Sequence, residues 1–198
     1  MASVGPNSPG TLVEADYDGG SGIGNGWANY ANAGASDNSY VIVSQAGASS
    51  PNYSQYIKAT NFGFSVPTGS TIDGIVVEVE RKASQDINNT GYGTDASVLI
   101  VQGGAETGTD KADTTTHWPT SDAYKTYGSS SDLWGTSWTV AQINASDFGV
   151  SFACIAKAAI LGTDSVDFSV DHIRITVYYT AASGVSQIQS TLLFMGVG

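Results

Sequence analysis

From Tyr40 onward the apolar residues of this chain recur at every second position in short runs, and no stretch repeats them every third or fourth. A period of two is that of a β-strand with one face buried, whereas an amphipathic helix needs 3.6. In the run from Thr71 to Arg81, Ile75, Val77 and Val79 fall on one side, and Val76, Glu78 and Glu80 on the other. In the run from Phe148 to Cys154, the large apolar residues Phe148, Val150 and Phe152 are even, and the small or polar ones are odd. Between Val166 and Tyr179 the parity switches. Val166, Phe168 and Val170 are even, whereas Ile173, Ile175, Val177 and Tyr179 are odd. One extra residue near Asp171-His172 would return both sets to one face, so a β-bulge is predicted there.

Strands are expected near 40–45, 54–64, 71–82, 95–102, 133–140, 147–157, 165–179 and 186–195, separated by turn clusters at the spacing of a sandwich. A short helical turn is expected within Thr139 to Asp147. The polar segment 103–132 is long for a loop and carries Trp118, Tyr124 and Tyr127, so it is expected to be functional or packed by its own aromatics. Many antiparallel strands without βαβ spacing predict an all-β, antiparallel β-sandwich of jelly-roll type. Residues 1–36, rich in Gly, Asn and Ala, read as an extended N-terminal arm or loops anchored by Trp27 and Tyr30. Residues 37–180 read as the sandwich domain, and 181–198 as a linker followed by a β-prone tail.

Composition excludes several functions. Eighteen acidic against seven basic side chains leave a net charge of −11, which disfavours phosphate-directed nucleic-acid binding. A single cysteine, Cys154, sits in an apolar run; it permits no intrachain disulfide and reads as an inert core thiol. The first residues have no basic and apolar leader, and no window approaches the ~20 apolar residues of a membrane span. Synthesis in a cytoplasm without a secretory signal is the expectation.

Catalysis would need a base, a nucleophile or a metal in a recurring arrangement. His117 lies in a polar loop and His172 in the expected bulge, and no Gly-x-Ser-x-Gly elbow frames a serine. Glu78 and Glu80 share one strand face but do not flank a cleft as a glycosidase pair does. Asp16-Tyr17-Asp18 opens like a calcium loop, but Gly20 and Trp27 stand where oxygen ligands belong. Gly22-x-Gly24-x-Gly26 lacks the lysine, strand and helix of a phosphate loop. No enzyme activity, cofactor or metal is therefore expected. Trp118, Trp134 and Trp138 read first as core residues. If the chain stacks a sugar, Trp118, Tyr124 and Tyr127 are the aromatics expected to face it.

After Ala181-Ala182-Ser183-Gly184 comes an apolar, nearly uncharged tail with Ile188, Leu192, Leu193, Phe194 and Met195. Left open, such a segment invites pairing, so it reads as either an edge strand of its own domain or an assembly strand inserted into a neighbouring copy. Other elements complete a wider pattern. They are Trp27 with Asn29 and Asn32; Asp37 and Tyr40; Asn61 through Ile75; Tyr127-Gly128; Leu133-Trp134-Gly135; Phe148-Gly149-Val150; and Val177-Tyr178-Tyr179. Over roughly residues 27–179 the chain resembles β-sandwich proteins found in tailed-phage and environmental viral genomes. The resemblance implies a non-enzymatic virion structural protein, such as a capsid decoration, head fibre or tail component. It would be built into the particle and pair with itself and other virion proteins. The alternative expectation is a carbohydrate- or receptor-binding sandwich whose partner is a glycan, and a third is a calcium-dependent adhesin-like domain.

Overall fold

β-Branched residues at alternate positions stiffen the chain into extended runs that bury one face. The computed structural model describes residues 1–17, 25–46, 52–84, 91–158 and 165–182. Its strands are β1 (Ala2–Asn7), β2 (Thr11–Ala15), β3 (Val41–Ala46), β4 (Asn52–Tyr53), β5 (Tyr56–Thr60), β6 (Thr71–Ala83), β7 (Gly91–Gln102), β8 (Ala105–Thr107), β9 (Ala123–Ser129), β10 (Gly149–Ala158) and β11 (Ser165–Thr180). A 3-10 turn spans Tyr30–Ala33, and α1 spans Val140–Ile143.

The strands form two antiparallel sheets. The first runs β1-β11-β6-β9, with β3 also on β11; the second runs β2-β5-β10-β7-β8, with β4 also on β10. Apart from the β7–β8 hairpin, successive strands from β5 onward change sheet, which is how a jelly roll closes its two layers. The core lies between them. Ile75, Val77 and Val79 from β6 meet Phe148, Val150 and Phe152, all without solvent exposure. Both inward rows are those given by the alternation.

The bulge is where the parity switch put it: Val170 pairs with Arg81, and the next pair is His172 with Glu80. The extra residue turns Val166, Phe168 and Val170 and then Ile173, Ile175 and Val177 toward one core. The helical turn also forms. Thr139 and Gln142 make a reciprocal capping box, and the Asn144 side chain both accepts from the Val66 N–H and donates to the Val66 carbonyl, each at 2.9 Å. Thr139→Ala should cost about 1 kcal/mol, read as a lowered urea midpoint at unchanged slope.

Two expectations are corrected. Residues 1–36 are not an arm apart from the sandwich. They supply β1, paired with β11 from Ala2↔Tyr179 to Asn7↔Ile175, and β2, paired with β5 from Thr11↔Thr60 to Ala15↔Tyr56. These edge strands hold on by backbone hydrogen bonds and bury few side chains, so they leave no hydrophobic alternation; Pro6 is tolerated at such an edge. Residues 133–140 are not a strand. Trp134 (φ 58°) and Gly135 (φ 73°) are left-handed, which breaks an extended run. The turn plugs the Trp134 indole into the core, where Nε1 donates to the Ile75 carbonyl at 3.0 Å. Within the polar segment 103–132 lie β8 and β9. The expected strand 186–195 lies outside the described residues, as do the tail residues Ile188, Leu192, Leu193, Phe194 and Met195.

Candidate functional site

The inward row of β6 continues past Val79 to Arg81, so the same parity that buries valines carries a guanidinium into the core. Arg81 is 2% exposed and pairs with the fully buried Asp95 of β7. The Asp95 carboxylate also accepts from Trp118 Nε1, Tyr127 Oη and the Asp113 N–H, each at 2.9 Å. The Arg81 guanidinium lies 4.7 Å from the Trp118 ring centre and 5.9 Å from that of Tyr127. Trp118 and Tyr127 are therefore not ligand-facing. Each is 3% exposed, because its polar end is needed to satisfy a buried carboxylate between the sheets. Trp134 and Trp138 are core residues as well.

Tyr124, the third expected ligand-facing aromatic, lies on the outer face of the first sheet. Its ring is covered by the Arg174 guanidinium at 3.9 Å, and Arg174 is gripped by both oxygens of Glu78 at 2.8 and 3.0 Å. Lys82 sits 3.7 Å over Tyr40 and pairs with Asp122. Cations already occupy these rings. Glu78 thus serves an ion pair on a solvated face. His172 bonds Ser8 Oγ through Nε2 (2.8 Å) and Tyr124 Oη through Nδ1 (2.9 Å). A serine triad would need a carboxylate at that second nitrogen. Burial, then the Arg174 charge, lowers the His172 pKa. His117 is exposed. The Cys154 thiol is buried and pushed up to about 12 by that burial, which suits an inert core group.

The outer face of the second sheet is different. Val150, Phe152 and Cys154 of β10 belong to the core, so Ser151, Ala153 and Ile155 point the other way, yet all three are buried. Their neighbours on that face, Tyr56 of β5 and Val101 of β7, are buried too but stand outside the core cluster. Half-buried groups sit over this floor. At one end the Tyr17 ring meets Tyr56 edge-on at 4.9 Å and Tyr53 at 5.5 Å. Burial, then the neighbouring Tyr56 and Tyr53, pushes the Tyr17 phenol up to about 12, so it stays a neutral donor. Tyr56 Oη bonds Ser97 Oγ at 2.9 Å, and Ser97 Oγ donates to Asp110 at 2.7 Å. Asp110 in turn accepts from the Val98 and Ala112 N–H groups.

At the other end Glu106 accepts from Lys58 Nζ and from Ser151 Oγ, both at 2.8 Å, while Lys58 also donates to the Gly104 carbonyl. Burial raises the Glu106 pKa, but these two donors outweigh it and hold the carboxyl below its usual range. The face thus offers a tyrosine cluster, fixed hydroxyls and a charged pair locked by hydrogen bonds. Such a set can hold a polyol against an apolar surface; no serine on it is hydrogen-bonded to a histidine. Among the described residues no group of three or more His, Cys, Asp or Glu is placed to hold a metal ion, and no helix is long and apolar enough to cross a membrane. Most of the calcium-like run after Tyr17, and the glycines 22 and 24, lie outside the described residues.

Sequence reasoning missed this face. Its residues come from five separate segments, and the odd positions of β10 read as merely small and polar. The available signal was Ala153 and Ile155, apolar residues on the side expected to be wet.

No protein-family model matches the chain, and no curated protein matches it. Solved structures do. One described as "CBM4 structure and function" aligns over 83% of this chain and 92% of its own, at 14% identity and a TM-score of 0.39. The N-terminal cellulose-binding domain of Cellulomonas fimi β-1,4-glucanase C aligns over 87% and 92%, at 15% identity and a TM-score of 0.34. SGBP-B from a complex xyloglucan utilization locus in Bacteroides uniformis aligns over 84% of this chain and 45% of its own, at 13% identity and a TM-score of 0.38. The virion-assembly expectation, with its virion partners and location, is corrected on this finding: of the similar structures, one is a cellulose-binding domain, one comes from a xyloglucan utilization locus and one is a structure with a xylogluco-oligosaccharide.

Proposed function

We propose that this chain is a non-catalytic carbohydrate-binding module that holds an extended glycan across the outer face of the second sheet. One observation carries the reading. Tyr56, Val101, Ala153 and Ile155 are buried although they stand outside the core cluster between the sheets, so this sheet has a second apolar floor. Tyr17 and Tyr53 offer partly open rings above that floor. Ligand sites combine such an apolar floor with a few fixed polar groups, and here Ser97, Ser151, Lys58 and Glu106 supply them. Their hydrogen bonds are already made, so little ordering is left to oppose binding.

Affinity electrophoresis and calorimetry against a panel of soluble neutral β-linked polysaccharides test the reading. The protein is expected to bind at least one of them. Replacing both Tyr17 and Tyr53 by Ala should weaken that binding about tenfold or more, a loss of ~1.4 kcal/mol or greater, as for aromatic anchors elsewhere. Replacing Tyr124 by Ala should leave it unchanged. Failure to bind any glycan in the panel, or a loss caused by Tyr124→Ala and not by the double variant, would reject the face.

A further inference from the structure

The hydrogen-bond network of the second sheet's outer face has a direction, because a hydroxyl has a single hydrogen to give. Ser97 Oγ gives its hydrogen to Asp110 Oδ2 at 2.7 Å. It can then only accept from its other neighbour, so the 2.9 Å contact with Tyr56 Oη runs from the phenol to the serine. The Tyr17 phenol gives its hydrogen to the Ala96 carbonyl, 3.4 Å away. At the far end Ser151 Oγ gives its hydrogen to Glu106 Oε1 at 2.8 Å. Each of these hydroxyls turns its hydrogen toward the protein.

The two carboxylates that collect donors here are not saturated. A carboxylate has about four acceptor sites. Asp110 uses three, for Ser97 at Oδ2 and for the Val98 and Ala112 N–H groups at Oδ1. Glu106 takes Lys58 and Ser151 on one oxygen, and its own backbone N–H. Asp110 is exposed and the Glu106 side chain is 28% exposed, so the lone pairs left over are open to a ligand. The charges of both carboxylates reach the Tyr56 phenol, and that of Asp110 reaches Tyr17. All three donors to Asp110 are neutral, so its charge stands. Lys58 cancels the charge of Glu106, and its N–H groups go first to Glu106 and the Gly104 carbonyl.

Resting on the glycan reading above, we infer that this face recognises its ligand by accepting hydrogen bonds from it, with Asp110 and Glu106 as the specificity-determining acceptors, and so selects neutral sugars with free hydroxyls over uronic, sulfated or O-alkylated ones. A free hydroxyl donates to a carboxylate in a charge-assisted bond. An ether oxygen brings only lone pairs, and an acidic group adds repulsion against Asp110, so both are selected against. An apolar floor alone would draw no such line, since added methyl groups enlarge the apolar surface a ligand can bury.

The test is affinity electrophoresis of the whole chain at neutral pH. The probes are mixed-linkage β-glucan, glucomannan, galactomannan and soluble xylan, each native, partly O-methylated and carboxymethylated. Methylation should weaken binding about tenfold, the worth of one hydrogen bond to a charged group. That loss should persist in about 1 M salt, where charges are screened within ~3 Å, whereas part of the loss on carboxymethylation should be recovered there. In Asp110→Asn, Oδ1 keeps its two backbone donors and an amide replaces Oδ2. The amide donates to Ser97 and turns its second hydrogen outward, so an acceptor becomes a donor at unchanged shape. The ratio of native to methylated affinity should fall toward one. Glu106→Gln should lower the same ratio from the other end, and it reads the rule independently if the first variant folds poorly. Equal binding of native and methylated polysaccharide by the wild type overturns the inference and leaves the glycan reading standing. A variant that weakens both forms alike also overturns it, because the residue would then serve only the fold. Binding to none of the four polysaccharides rejects the glycan reading and this inference with it.

Discussion

Asp95→Ala should destabilise the protein by about 3–5 kcal/mol, the range for breaking a buried ion pair by removing one partner. The carboxylate accepts from Arg81, the Trp118 indole, the Tyr127 phenol and the Asp113 N–H. Its loss leaves a guanidinium 2% exposed with no counter-charge and strands three donors. Burial already lowers the Arg81 pKa, a sign that the charge is held there at a cost. The measurement is urea unfolding at neutral pH. Adding Arg81→Met to Asp95→Ala should recover part of the loss, because replacing a buried pair by apolar groups is often close to neutral. A single variant with an unshifted midpoint would mean that the pair is dispensable to the core.

Phe152→Ala should cost a similar amount, about 3–5 kcal/mol. The ring is fully buried, lies 5.7 Å from Trp118 and stands in the middle of β10 between β5 and β7. Both neighbouring strands are pinned by ladder bonds, so the void has little room to collapse. Ser151→Ala, the adjacent residue on the opposite face, should leave the midpoint much less changed, since a net hydrogen bond is worth about 1 kcal/mol. Equal losses at the two positions would mean that the two faces of β10 had been interchanged.

The strands that bury a full row of side chains were legible, because burial on one face forces the alternation seen in β6, β10 and β11. The bulge was legible for the same reason: two rows of opposite parity can share a core only if a residue is inserted. Three edge strands were not legible. β1, β2 and β9 leave one side open and draw their stability from backbone pairing, which any sequence can supply. Trp134 reads as a strand residue by its even spacing with Trp138, and only its positive φ shows the corner. Arg81 and Trp118 hid the ion pair by a different route. Arg81 is only the end of a run whose outer face carries Glu78 and Glu80, Trp118 reads first as a core residue without a named partner, and only the pairing of β6 with β11, and of β7 with β10, sets Arg81 opposite Asp95. The proposed glycan face was least legible, because Tyr17, Tyr53, Ser97, Glu106 and Ser151 are neighbours only after both halves of the chain have folded.

The place of β11 in the first sheet bears on how the molecule comes into being. Three partners, β1, β3 and β6, pair with this one strand, and β9 reaches it only through β6. During synthesis β1, β3, β6 and β9 all leave the ribosome before the strand that joins them. Until residues 165–180 emerge, this layer of the sandwich is only the β6–β9 pair, and β1 and β3 have no strand to join. Contacts this distant in sequence slow a fold and lengthen the time its strand edges stay open to other chains. The excess of acidic side chains before residue 165, 16 against 6 basic, keeps such half-made chains apart during that interval.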